Sequence, residues 1–277
     1  MDIGALLTDS FTYAQEALIG KWTRWAIFIL FALPFSLIQF VFDPKKIMKG
    51  TTINWGAIPW GQIAVLAGLG LILSFFLSGY VVRIYRGVKP APDFKEWTNL
   101  FVDGVKLAVV WFLWILPVVI VLAAGIAIAL ASYLSVRMAA APNIVLLLLL
   151  LLLLLLEFVL VVIVVLFGIL GAVRFARTGS IREGIRLSAI LTTIRTMGWL
   201  SYIILLVGFI IVCVIFAVIS AVLTAIPYIG WVLVLIVNPV FMIFTARYFS
   251  LVYDQGEPKP VPPIPPIPPV ASAAAAE

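Results

Sequence analysis

Six apolar stretches, each long enough to cross a lipid bilayer, take up about half of this 277-residue chain and dictate what it can fold into. A bilayer core is about 30 Å thick, so about 20 predominantly apolar residues of helix span it. The stretches run Trp25 to Phe42, Ile63 to Val82, Leu107 to Leu130, Ile144 to Val173, Trp199 to Ala225 and Trp231 to Phe249. Hydrophobic residues make up 65% of the sequence and charged residues 11%. Soluble domains average about 45–50% and about 25%, so little chain remains for a separate soluble domain. The expected fold is an all-α integral membrane domain over residues 1–253, with a tail behind it. The fourth stretch is about 30 residues long and must tilt or project.

Met1 and Asp2 open a polar segment, where a cleaved signal would carry positive charge ahead of its apolar core, so the first span is expected to stay in the mature protein. There is no histidine, and the single cysteine, Cys213, sits inside an apolar run. Neither an intrachain disulfide nor a Cys/His zinc site follows from such a set, and no cofactor is expected. The 18 basic residues outnumber the 12 acidic ones, yet they fall at the ends of apolar spans, which points to membrane topology and away from nucleic acid.

Lys and Arg are retained on the cytoplasmic side of short loops. Fourteen of them fall in the N-terminal segment, the second and fourth loops and the tail, and four (Lys45, Lys46, Lys49 and Arg137) fall on the other side. Both termini are therefore predicted to be cytoplasmic, in a multi-pass protein of the cell membrane. Each outward span is preceded by a segment that is too polar to cross. From Asp2 to Leu18, Ile3, Leu6, Leu7, Phe11, Ala14 and Leu18 recur at three- and four-residue intervals opposite Asp9, Thr12 and Glu16. From Pro92 to Lys106, Phe94, Trp97, Phe101 and Val105 form a second stripe. A third segment, Ile181 to Arg195, is basic and less cleanly amphipathic.

These patterns describe three helical hairpins, each preceded by an interfacial amphipathic helix (about residues 2–18, 92–106 and 180–195). Local echoes support repetition. The returning spans end in Val82-Arg83-Ile84-Tyr85-Arg86, Val173-Arg174-Phe175-Ala176-Arg177 and Ala246-Arg247-Tyr248-Phe249, although Arg and aromatic residues accumulate at any cytoplasmic interface. After Asp254 the prolines from Pro258 to Pro269 exclude helix and favour an extended polyproline tail over residues 254–277, read as a spacer or as a dock for a proline-recognising partner.

One ionisable side chain, Glu157, lies near the middle of a span, between Leu146–Leu156 and Phe158–Leu166. Intramembrane acids serve proton relays and ion pathways, but they also form interhelical hydrogen bonds or are tolerated at a lipid or water defect. A central acid costs about 2.5–3.5 kcal/mol to insert, while eleven leucines return about 3–7 kcal/mol, so the span inserts whatever Glu157 does. Small residues at four-residue spacing, Gly70, Ser74 and Ser78 in one row and Ala217, Ala221 and Ala225 in another, mark expected helix-packing faces. Arg83, Arg86, Arg174, Arg177, Arg182 and Arg186 are candidate contacts for anionic lipid headgroups at the cytoplasmic surface, or serve only to set topology.

The sequence holds no Gly-rich phosphate loop, no histidine-based triad and no metal-spaced cluster. The carboxylates Asp43, Asp93, Glu96, Asp103 and Glu183 stand on both sides beside basic residues and are expected in salt bridges, and no enzyme activity is predicted. The Gly79-Tyr80-Val81-Val82-Arg83, Phe101-Val102-Asp103-Gly104, Arg174-Phe175-Ala176-Arg177, Ile226-Pro227-Tyr228-Ile229-Gly230-Trp231 and Ala246-Arg247-Tyr248-Phe249 runs resemble the domain-of-unknown-function 4013 family of polytopic membrane proteins, found mainly in archaea, over about Phe11 to Asp254. More loosely, the three-hairpin layout is similar to the membrane domain of some glycerophosphodiester phosphodiesterases, whose catalytic domain this chain lacks. The closer resemblance implies no known activity and no catalytic residues. The function expected from the residues is a non-enzymatic module associating with membrane lipids or other membrane proteins; the competing expectation is a small transporter or channel with Glu157 as its protonatable site.

Overall fold

The computed structural model describes residues 3–41, 47–49, 52–138 and 144–257, without the side chains of 48, 49, 52, 53 and 134–138. The proline-rich stretch after Glu257, Asp43, Lys45, Lys46, and the side chains of Lys49 and Arg137 lie outside the described residues. In chain order the helices are α1 (Ile3–Leu18), α2 (Trp22–Val41), α3 (Trp60–Tyr85), α4 (Trp97–Met138), α5 (Ile144–Ile163), α6 (Ile169–Thr178), α7 (Ile181–Gly184), α8 (Leu187–Met197), α9 (Trp199–Thr224) and α10 (Gly230–Gly256). A π-helical turn, Val164–Gly168, joins α5 to α6 without a break in direction. Between α2 and α3 lie a two-residue antiparallel pair, Met48–Lys49 with Thr52–Ile53, and a short 3₁₀ turn, Trp55–Ala57.

Six of these helical stretches are long and apolar enough to cross a membrane: α2, α3, α4, α5 with α6, α9 and α10. α2, α5 with α6, and α10 outrun their apolar stretches at the charged ends, α3 and α4 at both ends, and α9 matches its stretch to within one residue. The largest difference is at residues 92–106. A separate interfacial helix is expected there, but residues 97–106 are instead the first turns of α4, which runs unbroken for 42 residues. No proline stands between Trp97 and Leu107 to end the helix. Gly104 lets two backbones meet: a Cβ there would sit 1.7 Å from the Phe75 carbonyl oxygen, and one on Gly79 would sit 1.8 Å from that of Leu100. The apolar stripe of this segment is spent on α3. Phe94 stacks on Tyr80 at 4.7 Å between ring centroids, and Phe101 meets Phe75 edge-on at 5.6 Å.

The third surface segment is two short helices, α7 and α8, interrupted at Ile185 and Arg186. Gly179, at φ +71°, closes α6 by returning its N–H to the Phe175 carbonyl, a left-handed cap that glycine adopts without steric cost. The buried face of α1 (Leu6, Ser10, Tyr13, Ala14, Ala17 and Leu18) packs chiefly on α10, so its apolar stripe serves the protein core before any membrane surface. Phe11 belongs to the same expected stripe but stays half exposed.

The core lies at one end of the molecule. Tyr80, Val82 and Ile84 of α3, Leu170, Val173 and Phe175 of α6, and Tyr248, Val252 and Tyr253 of α10 are all essentially buried, together with Phe28 of α2 and Leu100 and Val110 of α4. Toward the other end the helices bare their apolar side chains, and α5 has no buried residue at all. Such a surface, from Leu147 through Phe158 and from Ile210 to Val222, is compatible with hydrocarbon and not with water.

Candidate functional site

Two features combine polar chemistry with shelter: a layer of ion pairs in the packed end, and the surroundings of Glu157. The ion-pair layer is built chiefly from arginines toward the C-terminal ends of α3, α6 and α10. Each extends from an apolar helix toward a carboxylate on a neighbouring segment. Arg86 bonds Asp103 at 2.8 Å and donates to the Ala176 carbonyl; Arg174 bonds Glu183 at 2.6 Å; Arg247 bonds Asp9 at 2.8 Å and lies over the Tyr13 ring. Arg177 donates to the Tyr85 carbonyl, to Ser250 Oγ at 3.0 Å and to Asp254. Arg83 donates to the Asp93 carbonyl at 3.1 Å and lies 3.6 Å from Glu96. Arg24, at the start of α2, is buried; it pairs with Asp93 and donates to the carbonyls of Ala17 and Ala91.

These contacts link α3, α6 and α10 directly, because the Tyr85 carbonyl accepts from both Arg177 and Ser250. Buried guanidinium groups need such partners, since an unpaired charge in this position costs several kcal/mol. The carboxylates respond accordingly. Burial pushes the Asp9 carboxyl upward, but hydrogen bonds from Arg247 and Lys89 outweigh it and hold the group below the usual range. Arg24 holds Asp93 low, and Arg174 with Arg186 does the same to Glu183. Burial raises the Tyr13 hydroxyl to about 12, so it stays a neutral donor, bonded to the Val88 carbonyl at 2.9 Å.

Of the six arginines expected to meet lipid headgroups, Arg83, Arg86, Arg174 and Arg177 are therefore committed to protein carboxylates and carbonyls. Arg182 is exposed, with no hydrogen bond or ion pair among the described residues, and Arg186 is exposed while pairing with Glu183 at 3.0 Å. The expected salt bridges of Asp93, Glu96, Asp103 and Glu183 are present. Sequence reasoning did not single out Arg24 or Arg247. The signal for Arg247 was its place in the echo with Arg83 and Arg174; Arg24 carries no comparable mark.

Glu157 lies on the half-buried face of α5 that turns toward α4, in step with Leu150, Leu153 and Leu160. It borders a cleft of about 600 Å³ whose other walls include Val121, Leu122, Gly125 and Leu154. Its Oε2 is buried without a hydrogen-bond partner among the described residues, so the expected interhelical hydrogen bond is not made by that oxygen. The small-residue rows divide. Gly70 is buried, with the Phe35 ring of α2 3.0 Å from where its Cβ would stand, and Ser74 and Ser78 are half-buried. Ala217, Ala221 and Ala225 are exposed and pack nothing, because α9 meets its neighbours through Tyr202, Leu205 and Leu206 on another face. Among the described residues no group of three His, Cys, Asp or Glu side chains is placed to hold a metal ion.

Six apolar helical stretches, bare at one end and tied by arginine–carboxylate pairs at the other, define a multi-pass helical membrane protein. The chain belongs to the family described as protein of unknown function DUF4013, whose model matches residues 62–228. That match begins in α3 and ends before α10, a shorter span than the resemblance from Phe11 to Asp254. No curated protein and no solved structure matches the chain.

Proposed function

We propose that this protein is a non-enzymatic membrane module that associates with lipids or with other membrane proteins, built as three helical hairpins with both termini and the ion-paired layer at the cytoplasmic face. One observation carries the reading. The polar groups are gathered at one end and largely paired within the chain, whereas the remaining helix surface, α5 above all, is apolar and bare. A conducting path needs polar groups left unpaired along a space within the spans themselves. The cleft beside Glu157 is walled otherwise by aliphatic side chains. The pairings α2 with α3, α4 with α5 and α9 with α10 support the hairpins, and the concentration of Lys and Arg at the packed end supports its cytoplasmic placement.

A second reading, a small transporter or channel that protonates Glu157, is favoured by the unpartnered Oε2 of that residue. Purification in native-membrane discs, followed by identification of retained lipids and proteins, separates the two. The module reading expects a selected lipid or a stoichiometric protein partner, kept equally by Glu157→Gln. A proton- or ion-coupled flux into proteoliposomes that Glu157→Gln abolishes, with folded protein unchanged, would overturn it.

A further inference from the structure

A cavity of about 600 Å³ between α6, α8 and the end of α10 is lined largely by polar side chains, and the ion-pair layer does not fill it. Its lining divides by hydrogen-bonding sense. At one end stand Arg174, Arg186 and Ser188. Arg186 uses Nη1 on Glu183, and its other guanidinium N–H groups have no partner among the described residues. The backbone N–H of Ser188, in the first turn of α8, makes no hydrogen bond among the described residues. That end donates.

Along the cavity Thr192 and Thr196 follow Ser188 at four-residue spacing. Each threonine hydroxyl already donates to the carbonyl four residues back, at 2.9 and 3.0 Å, so it offers only lone pairs to a guest. Glu257 closes the same side with a carboxylate. That end accepts. Exposed Leu187, Trp199 and Leu200 flank the cavity in the chain and give it an apolar border of the kind that sits at a headgroup boundary.

We propose that this cavity binds a phosphodiester lipid headgroup whose substituent carries hydrogen-bond donors, such as an ethanolamine ammonium or the hydroxyls of glycerol. The phosphate lies against Arg186, Ser188 and the start of α8, and the donor-bearing substituent reaches Thr192, Thr196 and Glu257. Arg174 positions Arg186 through the Glu183 carboxylate that both bond. A choline headgroup has the phosphate and a positive charge but no N–H or O–H, so it meets Glu257 by charge alone, leaves the threonine acceptors without a hydrogen bond and is discriminated against. The inference rests on the lipid-associating reading above and gives it a site and a chemistry.

The test compares retention of phosphatidylethanolamine, phosphatidylglycerol and phosphatidylcholine by the full chain in mixed-lipid discs, with inorganic phosphate and glycerol phosphate as competitors. The wild type is expected to enrich the first two over phosphatidylcholine. Arg186→Gln lowers retention of all three by about tenfold, the scale of a lost charge-assisted contact. The pair Thr192→Val with Glu257→Gln lowers phosphatidylethanolamine and phosphatidylglycerol more than phosphatidylcholine and erases the preference. Displacement by the soluble phosphates would identify a free phosphate compound as the ligand and overturn the lipid assignment. Wild-type enrichment unaffected by either variant, with both folded, would overturn this cavity as the site while leaving lipid association standing. No enrichment in the wild type would overturn the headgroup proposal, while the module reading would still stand on a retained protein partner.

Discussion

At the residue scale, glycine decides where helices may touch. Gly79 and Gly104 bring the backbones of α3 and α4 so close that any side chain collides with a carbonyl, which neither helix can move alone. Gly79→Ala is expected to unfold or grossly destabilise the protein, whereas Gly68→Ala, with open space around its Cβ, should leave the thermal midpoint in detergent unchanged or slightly raised. Equal midpoints for the two variants would show that α3 and α4 do not pack through this contact. Part of this was legible beforehand: Gly79 and Gly104 lie inside the family-like runs, but as members of a motif and not as contact points. Four-residue spacing pointed instead to Ala217, Ala221 and Ala225, and it failed there because spacing reveals a smooth face without saying whether a neighbour occupies it. Glu157 falls within α5, one of the apolar helices, as its place in the sequence implies. What it faces was not readable, since that depends on how α5 rotates against α4.

At the scale of elements, apolar length and Lys/Arg placement were enough to locate all six long helices, because insertion into lipid depends on composition summed over about 20 residues. The surface segments were harder. An amphipathic stripe looks the same whether it will meet lipid or protein, and α1 and the start of α4 both turn theirs inward, onto α10 and α3. The ion pairs record the same arrangement: Arg83, Arg174 and Arg247 occupy equivalent places in the sequence echo, and each meets an acid from a surface segment, at Glu96, Glu183 and Asp9. The bond from α10 to α1 is the longest in sequence. Asp9→Asn is therefore expected to loosen α1, because it removes the charge that answers both Arg247 and Lys89 and leaves a buried guanidinium underpaired. Limited proteolysis should cut near Gly20 faster in this variant, and Lys89→Ala, which leaves the Arg247 bond in place, should have a smaller effect. Equal cleavage of Asp9→Asn and the wild type would mean that α1 is held by its apolar face alone.

The whole molecule combines an electrostatic end with a lipophilic one, and the two should fail under different conditions. Asp9, Asp93 and Glu183 all titrate below their ordinary values in the folded protein because arginine or lysine bonds their ionised forms. A carboxyl depressed by folding contributes stability that is complete above its unfolded value, near 3.8 for aspartate and 4.5 for glutamate, and that is lost as pH falls through the lower folded value. Stability should thus be level from neutral pH down to about 5 and decline below about 4. The apolar helices carry no such dependence, since their backbone bonds are internal and their side chains are content in hydrocarbon. Acidification in detergent or discs should therefore release α1 and the loops of the packed end first, seen as amide exchange or proteolysis there, while helical circular dichroism persists. Loss of helix signal in step with loop exposure would show that the ion pairs and the spans form one cooperative unit, and a stability that rose on acidification would contradict the assignment of these carboxylates as partners of Arg24, Arg174 and Arg247.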